Sequence, residues 1–77
     1  MKTLKANMIR YKLMEQHLEW VRSGKLEEAK RLLYLLRTGH ICLGLGNEDW
    51  TVEEAVINAG GLVISNRRGT LATAYLK

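Results

Sequence analysis

The pattern of hydrophobic and polar residues changes near residue 39. Residues 2–37 contain no Pro and one Gly, and their apolar positions recur at intervals of three and four, as in an amphipathic helix. From Gly39 onward the chain holds six of its seven Gly, and apolar residues alternate with Cys or Gly through residues 41–46. Alternation is typical of a strand, because successive side chains of a strand point to opposite faces. The pattern therefore predicts a helical first half and a strand-containing second half.

The first half predicts two helices. One spans residues 3–22, and a broad apolar stripe along it is expected to face the core. That stripe comprises Leu4, Met8, Tyr11, Met14, Leu18 and Val21. Ser23 and Gly24 interrupt the pattern, and a second helix follows that ends near Arg37. Its stripe comprises Leu26, Ala29, Leu32, Leu33 and Leu36. Because the break is so short, the two helices are predicted to form an antiparallel hairpin.

A second apolar stripe lies on the opposite side of the first helix and consists of Ile9, Leu13 and Trp20. A helix with two apolar faces must pack against a different structural element on each face. One interpretation is that the C-terminal strands cover this second stripe, which makes the helix central to the domain. The other interpretation is that the stripe is exposed and forms a candidate protein interface, since an exposed apolar patch with a Trp is typical of binding surfaces.

The second half predicts a strand over residues 40–46 (HICLGLG), followed by a short helix. Thr51 and Glu54 fit a capping box, in which each side chain bonds the other residue's backbone amide at the start of a helix. The helix is expected to end at Ala59, because the following Gly60 adopts the left-handed conformation without a steric cost.

Two further strands are predicted around residues 66–69, where Asn is the first and Gly the fourth residue, as a type I turn prefers. This β-hairpin would carry Arg67 and Arg68 at its tip. The competing prediction is a final helix over residues 70–77, which contain Ala72 and Ala74.

Together these elements predict an α+β fold, in which an N-terminal antiparallel helical hairpin packs on a small antiparallel sheet with one additional short helix. The length of 77 residues suits a single small domain, residues 1–77. Within it, the helical hairpin occupies about residues 3–37, and the strand, helix and β-hairpin region occupies about residues 40–76.

Composition narrows the class of protein. Twelve Lys and Arg against eight Asp and Glu give a net charge of +4, which favours an anionic partner without requiring one. One Cys and two His provide neither an internal disulfide nor the ligands of a tetrahedral metal site. The N-terminus lacks the apolar run of a signal peptide, and no segment approaches the length of a membrane span. We expect a cytoplasmic protein with no metal and no membrane association.

Two sequence features bear on cofactor binding and catalysis. Gly44 and Gly46 lie between a strand and a helix, as in a dinucleotide-binding turn, but Asp49 replaces the third Gly and would repel a pyrophosphate. His40 and Cys42 lie on one face of a strand, where they could act as base and nucleophile. No third group orients them, however, and the simpler interpretation is that Cys42 is an ordinary buried residue. We therefore expect no enzyme activity, no catalytic residue and no cofactor.

The order of elements in the last thirty or so residues resembles that of winged-helix proteins, in which a hairpin tip contacts the phosphate backbone. The resemblance implies nucleic-acid contacts by Arg67 and Arg68, to which the basic first helix would add Lys5 and Lys12. Against it, the helix before the hairpin carries Glu53 and Glu54 and no Lys or Arg, so a DNA groove would repel it. A direct nucleic-acid-binding transcriptional regulator is accordingly the alternative hypothesis.

The leading hypothesis is a small regulatory protein, without enzyme activity, that binds a larger protein and modulates or inhibits it. Phages encode proteins of this size and type that act on host transcription or other nucleic-acid machinery. The hypothesis depends on the stripe of Ile9, Leu13 and Trp20 and on surface charges of both signs, which suit a protein surface. A third hypothesis places that stripe in a symmetric homodimer.

Overall fold

The computed structural model describes the backbone of residues 2–65 and 71–76 and the side chains of residues 7–64 and 71–76. The elements are α1 (Lys2–Arg22), α2 (Leu26–Thr38), β1 (His40–Leu43), α3 (Asn47–Ala59), β2 (Leu62–Ser65) and β3 (Ala72–Tyr75). The predicted α+β class and the order of its elements are confirmed. The turn expected at residues 66–69, with Arg67 and Arg68, lies outside the described residues, as does the side chain of Lys5.

The two long helices form the expected antiparallel hairpin. Gly24 makes the connection with a φ of 81°, a conformation that Gly adopts without strain. Two side chains of α1 then fix its position against α2. Arg10 donates from Nη1 to the carbonyl oxygen of Leu36 at 3.0 Å, and His17 donates from Nδ1 to that of Ala29 at the same distance. These two hydrogen bonds fix the axial register of the two helices, that is, which turn of α1 lies beside which turn of α2.

The three strands form an antiparallel sheet in the order β1-β3-β2. Pairing of β2 with β3 confirms the predicted β-hairpin, and the alternative of a final helix is wrong, since Ala72–Tyr75 is a strand. One row across the sheet is buried or half-buried and faces the helices: Ile41, Ala74 and Val63. The neighbouring row, Cys42, Thr73 and Ile64, lies on the outer face.

The core lies between the helices and the inner face of the sheet. α1 packs against α2 and α3, while the sheet packs against α2 and α3. The buried residues come from all three helices and from two of the strands: Ile9, Leu13, Trp20, Ala29, Leu32, Leu35, Leu36, Ile41, Leu43, Val52, Val56, Ala59 and Ala74, with Leu76 just beyond β3.

The expected orientation of α1 is wrong. Ile9, Leu13 and Trp20 are 2%, 1% and 6% exposed, so the stripe considered as an interface is part of the core. The helices α2 and α3 cover it, where we expected the strands to do so; Ile9, for example, lies against the C-terminal end of α3 at Gly60. These three residues therefore form neither a candidate protein interface nor a candidate dimer interface on the folded surface.

The start of α3 also differs from expectation. The helix begins at Asn47 with Gly46 as its N-cap, and its first backbone bond runs from Trp50 to the carbonyl oxygen of Gly46. Thr51 lies inside the helix, where its hydroxyl donates to the carbonyl oxygen of Asn47 at 2.9 Å. The predicted capping box of Thr51 and Glu54 is therefore wrong. The strand β1 correspondingly ends at Leu43, and residues 44–46 connect it to α3.

The C-terminal end of α3 follows the prediction. Gly60 adopts the left-handed conformation with a φ of 96°. The next residue, Gly61, is required for a different reason, because a Cβ there would lie 2.6 Å from Val56 Cγ1 and 2.9 Å from the carbonyl oxygen of Tyr75. The chain thus passes between the last turn of α3 and the strand β3 where only Gly fits.

Candidate protein-binding surface

The surface of the helical hairpin that points away from the core is apolar. Its large side chains are between 37% and 67% exposed. Five lie on α1 and two on α2, and we call this set the hairpin face: Met8, Tyr11, Met14, Leu18, Val21, Leu26 and Leu33. Its α1 members are the residues that the sequence placed in the core.

Helix geometry places the α1 members on one side. At about 100° per residue they fall within an arc of roughly 140°, opposite the buried stripe. The register set by Arg10 and His17 brings Met14 to the level of Leu33 and Val21 to the level of Leu26. The apolar surface therefore continues from α1 across to the adjacent edge of α2.

The hairpin face is large for a protein of this size. Seven side chains at these exposures leave on the order of 600 Å² accessible to water, whereas the largest apolar patch of an ordinary monomer measures about 300–600 Å² and is often functional. Scattered apolar residues on a surface need no explanation, but a continuous set on one helical face does. This face is the strongest candidate for a binding site among the described residues.

Charged residues surround the hairpin face, and two of them, Glu15 and Arg22, lie within the arc of its α1 residues. Five are basic and two are acidic, and every one is exposed: Lys12, Arg22, Lys25, Lys30, Arg37, Glu15 and Glu19. On α2, an open groove next to the face is lined by Lys30, Leu33, Tyr34, Arg37 and Thr38. The border of the site is thus positively charged, most of all along α2.

The acidic residues at the start of α3 serve a structural role. Arg31 on α2 donates from Nε to Asp49 Oδ1 at 2.8 Å, and its guanidinium also lies 3.3 Å from Glu27 and 3.9 Å from Glu48. Burial by itself lowers the pKa of Arg31, but the hydrogen bond and charge of Asp49 raise it above the ordinary arginine value. A salt bridge that joins α2 to α3 therefore accounts for the Glu48 and Asp49 pair.

The glycine loop before α3 faces this salt bridge. A Cβ at Gly44 would lie 3.2 Å from Asp49 Oδ2, so the carboxylate lies against the loop, where a phosphate of a dinucleotide would bind. This geometry agrees with the sequence argument against a dinucleotide site.

His40 and Cys42 are both exposed on the outer face of the sheet, so the expected burial of Cys42 is wrong. The rings of His40 and Tyr75 lie 6.4 Å apart, measured between their centroids. Within residues 2–65 and 71–76, no three His, Cys, Asp or Glu side chains come together as metal ligands.

The structure describes only some of the residues that the sequence proposed for nucleic-acid contact. Lys12 is exposed and lies on the border of the hairpin face. On α3, Glu54 is exposed and Glu53 half-buried, and the helix contains no Lys or Arg, as its sequence indicated.

Comparisons with protein-family models, with curated protein sequences and with solved structures found no match. Among the residues that the structure describes, no helix combines the length and the apolar character needed to cross a membrane. The surface itself is therefore the basis on which a function can be inferred.

Proposed function

We propose that this chain is a small regulatory protein, without enzyme activity of its own, that binds a larger protein through the hairpin face and thereby alters its activity. The observation that carries the proposal is the exposure of Tyr11, Leu18 and their neighbours on a face that none of the described elements covers. Burying such a face would stabilise a complex by about 25 cal/mol for each Å² removed from water, before the costs of association.

The composition of the face supports a protein as the partner. Apolar and aromatic side chains make up most of the face, and most of the charged residues lie at its edge, which is the usual arrangement of protein interfaces. A nucleic-acid site would instead place its cations centrally, where they meet phosphates. Tyr11 and the two Met residues also suit recognition, since aromatic and thioether side chains are enriched in interface cores.

Binding at the hairpin face is tested by capture from a cell lysate with tagged protein, with and without nuclease. The variant is Leu18→Glu, and the matched control is Ile57→Glu, because Ile57 is exposed to a similar extent (55% against 50%) but lies on α3. We expect a nuclease-resistant partner that the wild-type protein and the control retain and that Leu18→Glu loses.

The regulatory part of the proposal needs a second measurement. The activity of the purified partner is assayed with increasing amounts of wild-type protein and of Leu18→Glu, and only the wild-type protein should change it. Partner capture that survives in Leu18→Glu would contradict the role of the hairpin face. A partner whose activity is the same with and without the wild-type protein would contradict regulation.

A further inference from the structure

We infer that the hairpin face binds an amphipathic helix of the partner whose apolar stripe is bordered by Asp and Glu. This inference rests on the proposed function and specifies the chemistry of the partner at the same site.

The shape of the face suits a helix. From Met8 to Val21 the apolar surface extends for about 20 Å along α1, the length of roughly four helical turns at 1.5 Å per residue. Leu26 and Leu33 on α2 form its second side. A helix that lies along this channel can bury residues at i, i+3, i+4 and i+7, which is a common mode of recognition.

The charges on α2 specify the border of that helix. Lys30 and Arg37 are exposed beside Leu33, and neither forms an ion pair with any residue that the structure describes. The nearby Glu27 is bound by Arg31 instead. An acidic border on the incoming helix would meet these two cations, and electrostatic complementarity of this kind selects partners and accelerates association.

The same charges disfavour a second copy of the chain as the occupant. A twofold-symmetric dimer brings the same patch of both subunits together, so each copy meets a border with the same net charge as its own. Self-pairing would therefore bring together two borders of net positive charge, each with five basic and two acidic residues: Lys12, Arg22, Lys25, Lys30 and Arg37, and Glu15 and Glu19. Borders of like net charge oppose association, whereas an acidic helix is attracted by the five basic residues and repelled only by Glu15 and Glu19.

Two synthetic peptides test the inference with the intact protein. Both are helices of about 18 residues with the same Leu stripe, and one carries Glu at the flanking positions where the other carries Lys. Fluorescence anisotropy at low and at moderate salt gives their affinities. We expect the Glu peptide to bind at least about tenfold more tightly at low salt, with the preference decreasing as salt screens the charges.

Three variants connect the affinity to the named residues. Lys30→Glu combined with Arg37→Glu should reverse the preference in favour of the Lys peptide while the Leu stripe still binds. Leu18→Glu should weaken both peptides by about tenfold or more. Ile57→Glu, the exposed control on α3, should change neither affinity by more than about twofold.

Other outcomes overturn the inference. Equal affinities for the two peptides, or an unchanged preference in the charge-reversed variant, exclude recognition of an acidic border. Failure of both peptides to bind also overturns it, and sedimentation equilibrium then identifies a second copy as the occupant if the wild-type protein is a dimer that Leu18→Glu dissociates. Loss of a lysate partner in Leu18→Glu, but not in the charge-reversed variant, overturns this inference alone and leaves the proposed function intact.

Discussion

Arg31 on α2 and Asp49 on α3 are joined by a hydrogen bond of 2.8 Å from the guanidinium Nε to the carboxylate Oδ1. The bond connects the helical hairpin with the first turn of α3 across a sequence separation of 18 residues. The two side chains are only 28% and 15% exposed, so water screens their attraction less than it screens a surface pair.

Removal of this bond should destabilise the fold measurably. Arg31→Met is expected to lower the free energy of unfolding by about 1–2 kcal/mol, because it leaves Asp49 without its partner. The matched control is Glu27→Gln, since Glu27 also contacts Arg31 but is 66% exposed, and it should cost less than about 0.5 kcal/mol. Urea denaturation measures the free energy of unfolding of both variants. Equal losses would show that the bond to Asp49 contributes no more to stability than the contact with Glu27.

The pH dependence of the stability that Arg31 provides follows from its raised pKa. A cationic group whose pKa is raised on folding stabilises the protein below its unfolded pKa and loses that effect as the pH rises through the folded value. For arginine both values lie far above neutrality. The stability difference between wild-type protein and Arg31→Met should therefore stay constant from neutral pH to about pH 10, and a decline within that range would contradict the assignment.

The orientation of α1 is tested by two leucines on the same helix. Leu13 is 1% exposed and Leu18 is 50% exposed, so the same substitution has different consequences at the two positions. Leu13→Ala should cost about 2.5–5 kcal/mol, enough to unfold much of so small a domain, and Leu18→Ala less than about 1 kcal/mol. Thermal melts followed by circular dichroism distinguish them. The reverse order of stabilities would mean that the helix faces the core with its other side.

Thr51 provides a test of where α3 begins. A capping residue would cost about 1 kcal/mol when changed to Ala, as the sequence pattern led us to expect. Inside the helix, its hydroxyl only bonds the carbonyl of Asn47, and Ala has the higher helix propensity. Thr51→Ala should therefore change the free energy of unfolding by less than about 0.5 kcal/mol. A loss near the full capping value in urea melts would restore the later helix start.

Two glycines should respond differently to substitution. Gly24 has a positive φ with no atom within 4 Å of an added Cβ, so its constraint is conformational only. Gly24→Ala should cost about 1 kcal/mol and Gly24→Asn less, because Asn tolerates the left-handed region. At Gly61 the constraint is steric, so Gly61→Ala and Gly61→Asn should both cost more than about 2 kcal/mol. Denaturation midpoints compare the four variants, and rescue of Gly61 by Asn would contradict the steric account.

Nucleic-acid binding is expected to be weak. The acidic α3 opposes entry into a groove, and the two arginines that the sequence predicts in the turn after β2 would supply too few phosphate contacts for specific affinity. Arg67→Ala combined with Arg68→Ala should therefore have little effect on duplex binding at about 0.15 M salt. Binding of DNA or RNA below about 10⁻⁷ M that the double variant loses, together with a salt slope shallower by about 0.7–0.9 per contact, would favour the transcriptional-regulator hypothesis instead.

The order of elements was predictable from the sequence because it depends on local signals. The break at Gly24, the helix end at Gly60 and the alternation in the strands each act over a few residues. The orientation of α1 was not predictable from its own pattern, since both of its faces are apolar. Two polar residues beside the buried stripe, Arg10 and His17, indicate the side of α1 that faces α2. They do so only through their hydrogen bonds to carbonyl groups of α2, which the sequence does not show.

The candidate site was missed for the same reason. Its α1 residues were recognised as an apolar stripe and assigned to the core, because the sequence does not show that α2 and α3 cover the opposite side. The first turn of α3 likewise makes a distant contact, since Asp49 bonds Arg31 of α2. Thr51 matched a local capping preference, whereas the contact of Asp49 with Arg31 could not be read from the sequence.

Cys42 is the single cysteine of the chain and is exposed on the face of the sheet that is turned away from the helices. A maleimide-linked fluorophore or spin label would therefore attach at one defined position without the removal of other thiols. Because the hairpin face lies on α1 and α2, a label on β1 leaves it free to bind. Energy transfer or electron-spin distance measurements from this position could then locate the protein within any complex that it forms.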